Sequence, residues 1–214
     1  MKFGHRAFEL WCRGVFKTWC PLRVYGRERL PPPPFVMCAN HASHMDSAML
    51  MASTGRRFHE CGMVAAKDYF FDGPQGAYLS RLMNLVPVDR ECTRATLRDY
   101  VSQCRSFFDN GKQILIVFPE GTRSMTGELQ EFRRGAGILG VELGLPVVPV
   151  YVRGSFRAWP KGKSLIRPGR VSVHLGATLT PPERAESTRV RFVAYSAFTQ
   201  EVEAAVRRLA ESQP

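Results

Sequence analysis

Two short segments hold the side chains best suited to chemistry. The first, Asn40-His41-Ala42-Ser43-His44-Met45-Asp46, places a histidine and a carboxylate with four residues between them. Histidine titrates near neutrality, so His41 is the candidate to accept a hydroxyl proton and pass it on. Asp46 could fix the tautomer of that imidazole and stabilise its charged form, provided residues 41–46 curl into the start of a helix. Asn40 and Ser43 suit such a turn through side-chain to backbone bonds. Other readings compete: a structural histidine, an Asp46 that only caps a helix, or a metal cluster of His41, His44 and Asp46. No separate His- or Cys-rich segment completes a metal shell. His59 and His174 read as structural.

The second segment is Phe118-Pro119-Glu120-Gly121-Thr122-Arg123-Ser124. Gly121 lets a backbone approach a ligand closely, and Arg123 offers a fork of donors matched to phosphate oxygens. Glu120 could bind a hydroxyl or order the loop. Alone, this is a strand-to-loop turn with a solvated arginine. Joined to the histidine segment, it supplies a phosphate pocket beside a base, with Glu120, Gly121, Thr122 and Arg123 as its substrate-binding stretch. Two more cations follow apolar strands, Lys67 after Met63–Ala66 and Arg90 after Leu85–Asp89. Strand ends are where α/β sheets place ligand groups.

The elements that must position these residues follow from hydrophobic patterning. Short apolar runs predict strands at Leu22–Tyr25, Phe35–Ala39, Gly62–Ala66, Leu85–Val88, Gln113–Phe118 and Leu145–Val152, with a peripheral, alternating one at Val171–Leu175. Pro31–Pro34 forms a stiff connector. Helices are expected at about Asp46–Ser53, Thr93–Phe108, Gly135–Leu143 and Arg191–Leu209, the last with Phe192, Tyr195, Phe198, Val202, Val206 and Leu209 facing inward. Alternating strands and helices imply an α/β layered sandwich, a mostly buried mixed sheet flanked by helices, as a single domain over 21–214. Residues 1–20 form an amphipathic helix. Phe3, Ala7, Phe8, Leu10, Trp11, Val15 and Trp19 share one face, opposite Lys2, Arg6, Arg13 and Lys17. It fits a helix packed on the core with its cations in water, or one lying in a lipid interface; the tryptophans and basic excess favour the interface.

The chain has 214 residues, 44% hydrophobic and 23% charged, which is globular rather than disordered composition. Thirty Lys and Arg against 19 Asp and Glu leave a net charge of +11, which favours anionic partners such as a bilayer, a phosphorylated substrate or nucleic acid. Six cysteines without CxxC spacing read as reduced thiols of a cytoplasmic protein. Arg6, Glu9 and Arg13 interrupt any signal-peptide run, and no stretch nears the roughly 20 apolar residues that span a bilayer. No Gly-x-Ser-x-Gly elbow, Walker loop or nucleic-acid fold signature is present. A reacting hydroxyl activated by His41 suits these parts better than a covalent enzyme intermediate.

Taken together, these residues resemble the phospholipid/glycerol acyltransferase family, whose bacterial members include 1-acylglycerol-3-phosphate acyltransferases. Four blocks match in order: Asn40–Asp46, Leu85–Arg90, Phe118–Ser124 and Val147–Val150. Trp159–Gly162 and Val173–Gly176 are further landmarks, and the likeness covers roughly residues 35–182. Asn84 departs from it, standing where the second block often begins with glycine.

The resemblance implies that His41, oriented by Asp46, deprotonates the free hydroxyl of a lysophospholipid. That acceptor is expected to be 1-acylglycerol-3-phosphate, which becomes phosphatidic acid. The donor would be an acyl thioester of coenzyme A or acyl carrier protein. Arg90 and Arg123, with Lys67, would hold the acceptor phosphate, while Glu120 and Gly121 shape the glycerol site. Val147–Val150 would lie near the donor or support the pocket. No metal or other cofactor is implied, and no nucleic-acid partner. Attachment at the cytoplasmic face of an anionic membrane, without spanning, is expected. Phe156 and Trp159 beside Arg153, Arg157, Lys161 and Lys163 offer a second interfacial contact. Another lysolipid acceptor, or a non-catalytic lipid-binding protein of the same fold, would share most of these features.

Overall fold

The computed structural model describes residues 2–67, 80–89 and 94–212. Its centre is a seven-stranded sheet built from β1 (Leu22–Tyr25), β2 (Phe35–Ala39), β3 (Cys61–Ala66), β4 (Leu85–Val88), β5 (Ile114–Val117), β6 (Val147–Arg153) and β7 (Val171–Leu175), in the order β1-β7-β6-β2-β5-β3-β4. All pairs are parallel except β6 with β7, so the sheet is mixed. Every predicted strand is present. Val171–Leu175 lies one strand in from the edge rather than at it, because Leu22–Tyr25 pairs along its outer side.

Strand alternation sorts side chains onto two faces. Phe35, Met37 and Ala39 of β2, with Ile114 and Ile116 of β5, join one core with α1 (Lys2–Thr18) and α2 (Asp46–Ser53). Val36, Cys38, Leu115 and Val117 join a second with α3 (Arg94–Asp109), α4 (Gly135–Leu143) and α6 (Thr188–Glu211). Both faces of β2 and β5 are therefore sealed, which explains their nearly unbroken apolar sequences. A four-residue helix α5 (Ser155–Ala158) follows β6.

Helix α4 packs closely on α6 because it lacks side-chain bulk at the contact. A Cβ on Gly137 would run into the Tyr195 carbonyl and the Thr199 hydroxyl. Thr199 instead accepts the Gly137 amide at 3.1 Å. On α6, Tyr195, Phe198, Val202 and Val206 are buried as the periodicity predicts, but Phe192 is 37% exposed. It lies one turn before the stretch gripped by α4, so the inward face begins later than expected.

Helix α1 also departs from its predicted sidedness. His5, Glu9, Cys12 and Phe16 are buried, and Leu10, Trp11 and Trp19 are at least half exposed. The expected single apolar face is divided between core and solvent. An ion pair explains the rotation. Arg13 bonds Glu9 at 3.0 Å and reaches the Arg56 carbonyl, and Glu9 also accepts the Phe58 amide at 3.3 Å. Satisfied in this way, Glu9 can face the protein, leaving Leu10 and Trp11 outward. No helix among the described residues is long and apolar enough to cross a membrane.

Asn84 takes φ +47°, the left-handed region that glycine usually fills. Its side-chain amide donates to the carbonyls of His59 and Cys61, at 3.2 and 2.7 Å, offsetting that strain. The departure from glycine is thus accommodated locally.

Candidate active site

The site begins where β2 ends. Asn40 donates its side-chain amide to the Val152 carbonyl at 3.0 Å and accepts the Val152 amide at 2.7 Å. This imitates one more ladder step between β2 and β6, after which the chain can turn away. It then enters α2, whose first residue is Asp46.

One oxygen of Asp46, Oδ2, gathers three donors: the Ala42 and Ser43 amides at 2.7 Å each and His41 Nδ1 at 2.9 Å. An ionised carboxylate only accepts, so Nδ1 carries the proton and Nε2 is left as the basic nitrogen. The Asp46 side chain is fully buried, whereas that of His41 is 18% exposed. The imidazole lies flat against Phe118, ring centres 3.9 Å apart. Its orientation is therefore fixed from the side by a hydrogen bond and from the face by an aromatic ring.

The second segment is laced to the first. The His41 amide donates to Glu120 Oε1 at 3.2 Å, and the His41 carbonyl accepts the Ser124 amide at 2.8 Å. Gln130 donates to Glu120 Oε2 at 2.8 Å and to the Thr122 carbonyl at 3.3 Å. Burial pushes Glu120 up to about 7, against the bonds from His41 and Gln130 that favour its charged form. The turn closes through the Gly121 amide on the Phe118 carbonyl, with Gly121 at φ +73°. Arg133 lies over this glycine; a Cβ there would sit 3.0 Å from the Arg133 Nε.

Gly121 and Thr122 face solvent, but Arg123 is only 9% exposed, so it is not the solvated arginine that the segment alone suggests. Its charge is felt at His44, which is held down at about 4 first by burial and then by Arg123. His44 leans on Trp159, ring centres 5.5 Å apart, and Ser43 donates to the Trp159 carbonyl at 2.7 Å. Residues after β6 thus wall the site.

The fold brings His41, Asp46, Glu120, Gly121 and Arg123 together, with Thr122 on the open side of the same loop. Lys67 lies just past β3, at the same carboxyl edge of the sheet, paired with Asp89 at 2.6 Å. Arg90 lies outside the described residues. Sequence patterning missed Gln130 and Arg133, which lie in an irregular stretch with no periodicity to mark their direction. Among the described residues, no group of three or more His, Cys, Asp or Glu is arranged to hold a metal ion.

A mixed α/β sheet with a His/Asp pair at its carboxyl edge and a Glu-Gly-Thr-Arg loop beside it matches the Acyltransferase family model over residues 21–153, more than half of the chain. The chain belongs to that family. Among its relatives, a 1-acyl-sn-glycerol-3-phosphate acyltransferase of Chlamydomonas reinhardtii is 32% identical over 185 residues, covering 85% of this chain and 54% of the relative. One of Pseudomonas aeruginosa is 29% identical over 191 residues, 86% of this chain and 69% of the relative. The chain spans about half the length of several curated relatives it matches. The crystal structure of PlsC, a 1-acyl-sn-glycerophosphate acyltransferase from Thermotoga maritima, shares the fold at a TM-score of 0.66 and 24% identity, over 98% of this chain and 80% of that one.

Proposed function

We propose that this chain transfers an acyl group from a thioester to the free hydroxyl of a lysophospholipid, 1-acylglycerol-3-phosphate in the first instance, giving phosphatidic acid. The observation that carries this reading is the His41–Asp46 pair held against the Glu120–Arg123 loop. His41 Nε2 takes the acceptor proton as the hydroxyl oxygen attacks the thioester carbonyl. The imidazolium is stabilised by Asp46 until the tetrahedral adduct collapses. The departing sulfur then receives that proton, leaving an ester and a free thiol. Arg123, with Arg90 and Lys67, holds the acceptor phosphate, which anchors the hydroxyl without taking part in bond making. Glu120 shapes the glycerol side through its grip on the His41 amide.

Similarity to proteins named 1-acyl-sn-glycerol-3-phosphate acyltransferases supports the acceptor, and the +11 charge supports work at an anionic surface. Leu10, Trp11 and Trp19, outward on and just past α1, suit a peripheral seat on the cytoplasmic leaflet. Incubation of the purified protein with lysophosphatidic acid and either acyl-CoA or acyl carrier protein should release thiol and yield phosphatidic acid. Neither product with either donor would refute the assignment. Including other lysolipids in the same assay tests whether the arginines select a phosphate monoester.

A further inference from the structure

On the sheet face turned away from α2, the three strands at one edge carry two cross-strand rows. The pairing registers align Arg153, Ser172 and Arg23 in one row and Tyr151, His174 and Tyr25 in the next. Their neighbours Val150, Val152, Val171, Val173, Leu175, Leu22 and Val24 pack into the core on the α1/α2 face. Alternation therefore sends the two rows to the other side. The Tyr25 ring lies on that of His174 at 4.7 Å and 12°, and Tyr25 is still 47% exposed. His174 in turn bonds the Ser172 hydroxyl at 2.9 Å. A hollow of about 220 Å³ opens beside Tyr25, bordered by Arg29 and by the end of α6 at Leu209 and Ser212. Arg23 and Arg153 are both exposed, and neither forms an ion pair among the described residues.

Two exposed guanidinium groups flanking a hydroxyl suit phosphate oxygens. A flat, supported aromatic ring next to them suits a heterocyclic base. The register also sets the platform against the active site. Ala39 pairs with Val150, so the arginine row lies level with the residues just past His41. At roughly 4.8 Å per strand, β7 and β1 stand about 10 and 14 Å from β2.

We propose that this platform binds the phosphorylated adenine nucleotide of a coenzyme A thioester, with phosphates on Arg23 and Arg153 and the base against Tyr25. The acylated arm then runs along the sheet end to His41. The assignment rests on the acyl-transfer reading and sharpens it. The arm of an acyl carrier protein has no adenine nucleotide, so the platform favours coenzyme A as donor.

Calorimetric titration with adenosine 3′,5′-bisphosphate tests the site without turnover. Wild type should bind it, and Arg23→Gln with Arg153→Gln should weaken binding about tenfold or more. Tyr25→Ala should weaken it several-fold, and circular dichroism should show all variants folded. Inorganic phosphate should bind far more weakly than the bisphosphate. In turnover, the double-arginine variant should raise the KM for acyl-CoA about tenfold. Rates with an acyl-pantetheine donor, which lacks the nucleotide, should not change. Absence of binding to wild type, or equal binding by the variants, overturns the proposal. So does loss of binding to anionic phosphatidylglycerol vesicles with nucleotide binding unchanged, which would give the arginines to a lipid surface. Nucleotide binding in a protein inactive with every donor would instead refute acyl transfer and leave the platform standing.

Discussion

The two halves of the candidate site are built in opposite ways. The His41–Asp46 half is short and sealed: one oxygen of a fully buried carboxylate fixes two amides and the imidazole at 2.7 to 2.9 Å. The Glu120–Arg133 half is longer and open, with Gly121 and Thr122 in solvent and its order supplied by the side chains of Gln130 and Glu120. The difference suits a division of labour. On the proposed acyl-transfer reading, proton transfer needs one geometry held tightly, whereas a lipid headgroup must enter and leave, so the loop that would meet it is held at a few points only.

The sharpest way to break this contrast is His41→Ala. Acyl transfer should fall about 10³-fold or more while lysophosphatidic acid binding persists, measured by thiol release and by equilibrium binding. A variant of near wild-type rate would place the base elsewhere. Asp46→Asn comes next, because it removes the charge that orients and stabilises His41 yet keeps a polar side chain. Turnover should drop about 10²-fold with KM little changed, and the melting temperature should fall by several degrees, since two buried amides lose a charged acceptor. Equal kinetics in wild type and variant would reduce Asp46 to a helix cap. On the open half, Arg123→Ala should chiefly raise the acceptor KM, about tenfold. A pure loss of turnover would mean that Arg123 positions His44 and His41 rather than substrate.

Glu120 supplies a pH test. Burial raises it to about 7, so the folded protein keeps a proton that the unfolded chain loses near the ordinary value of 4.5. Its contribution to stability is present in full below about 4.5 and is lost as pH rises through about 7. Glu120→Gln should flatten that segment of the melting-temperature profile; an unchanged profile would assign the slope to another group. The smallest effect is expected from Gly121→Ala. A methyl at φ +73° beside Arg133 strains the turn by about 1 kcal/mol, read as a modest fall in kcat/KM with the His41 geometry intact.

Much of this arrangement is legible in the residues. The strands at Phe35–Ala39 and Ile114–Val117 announce themselves because a sheet covered on both faces demands unbroken apolar runs. The two segments that end them carry chemistry in consecutive residues, so their spacing is visible. Other features depend on tertiary contacts that patterning does not encode. The rotation of α1 rests on Glu9 being satisfied by Arg13 and the distant Phe58 amide. The exposure of Phe192 follows from where α4 and α6 touch. Gln130 and Arg133 reach the site from a stretch without helix or strand, where nothing in the sequence sets a side chain's direction. The same holds for the Arg23 and Arg153 row, made from residues 130 positions apart that only the registers of β1, β7 and β6 align.

The clamp formed by Asn40 has a mechanical consequence. Because its amide ties the base of the His41 loop to β6 at Val152, and Ser43 ties the same loop to the Trp159 carbonyl seven residues later, a closed circuit of backbone runs through His41. Any ligand that displaces the Trp159 wall must therefore tug on the imidazole's own tether. Movement of that flank and alignment of the His41 ring become one coordinate, and on the proposed acyl-transfer reading a loose-fitting donor is penalised in rate as well as in affinity.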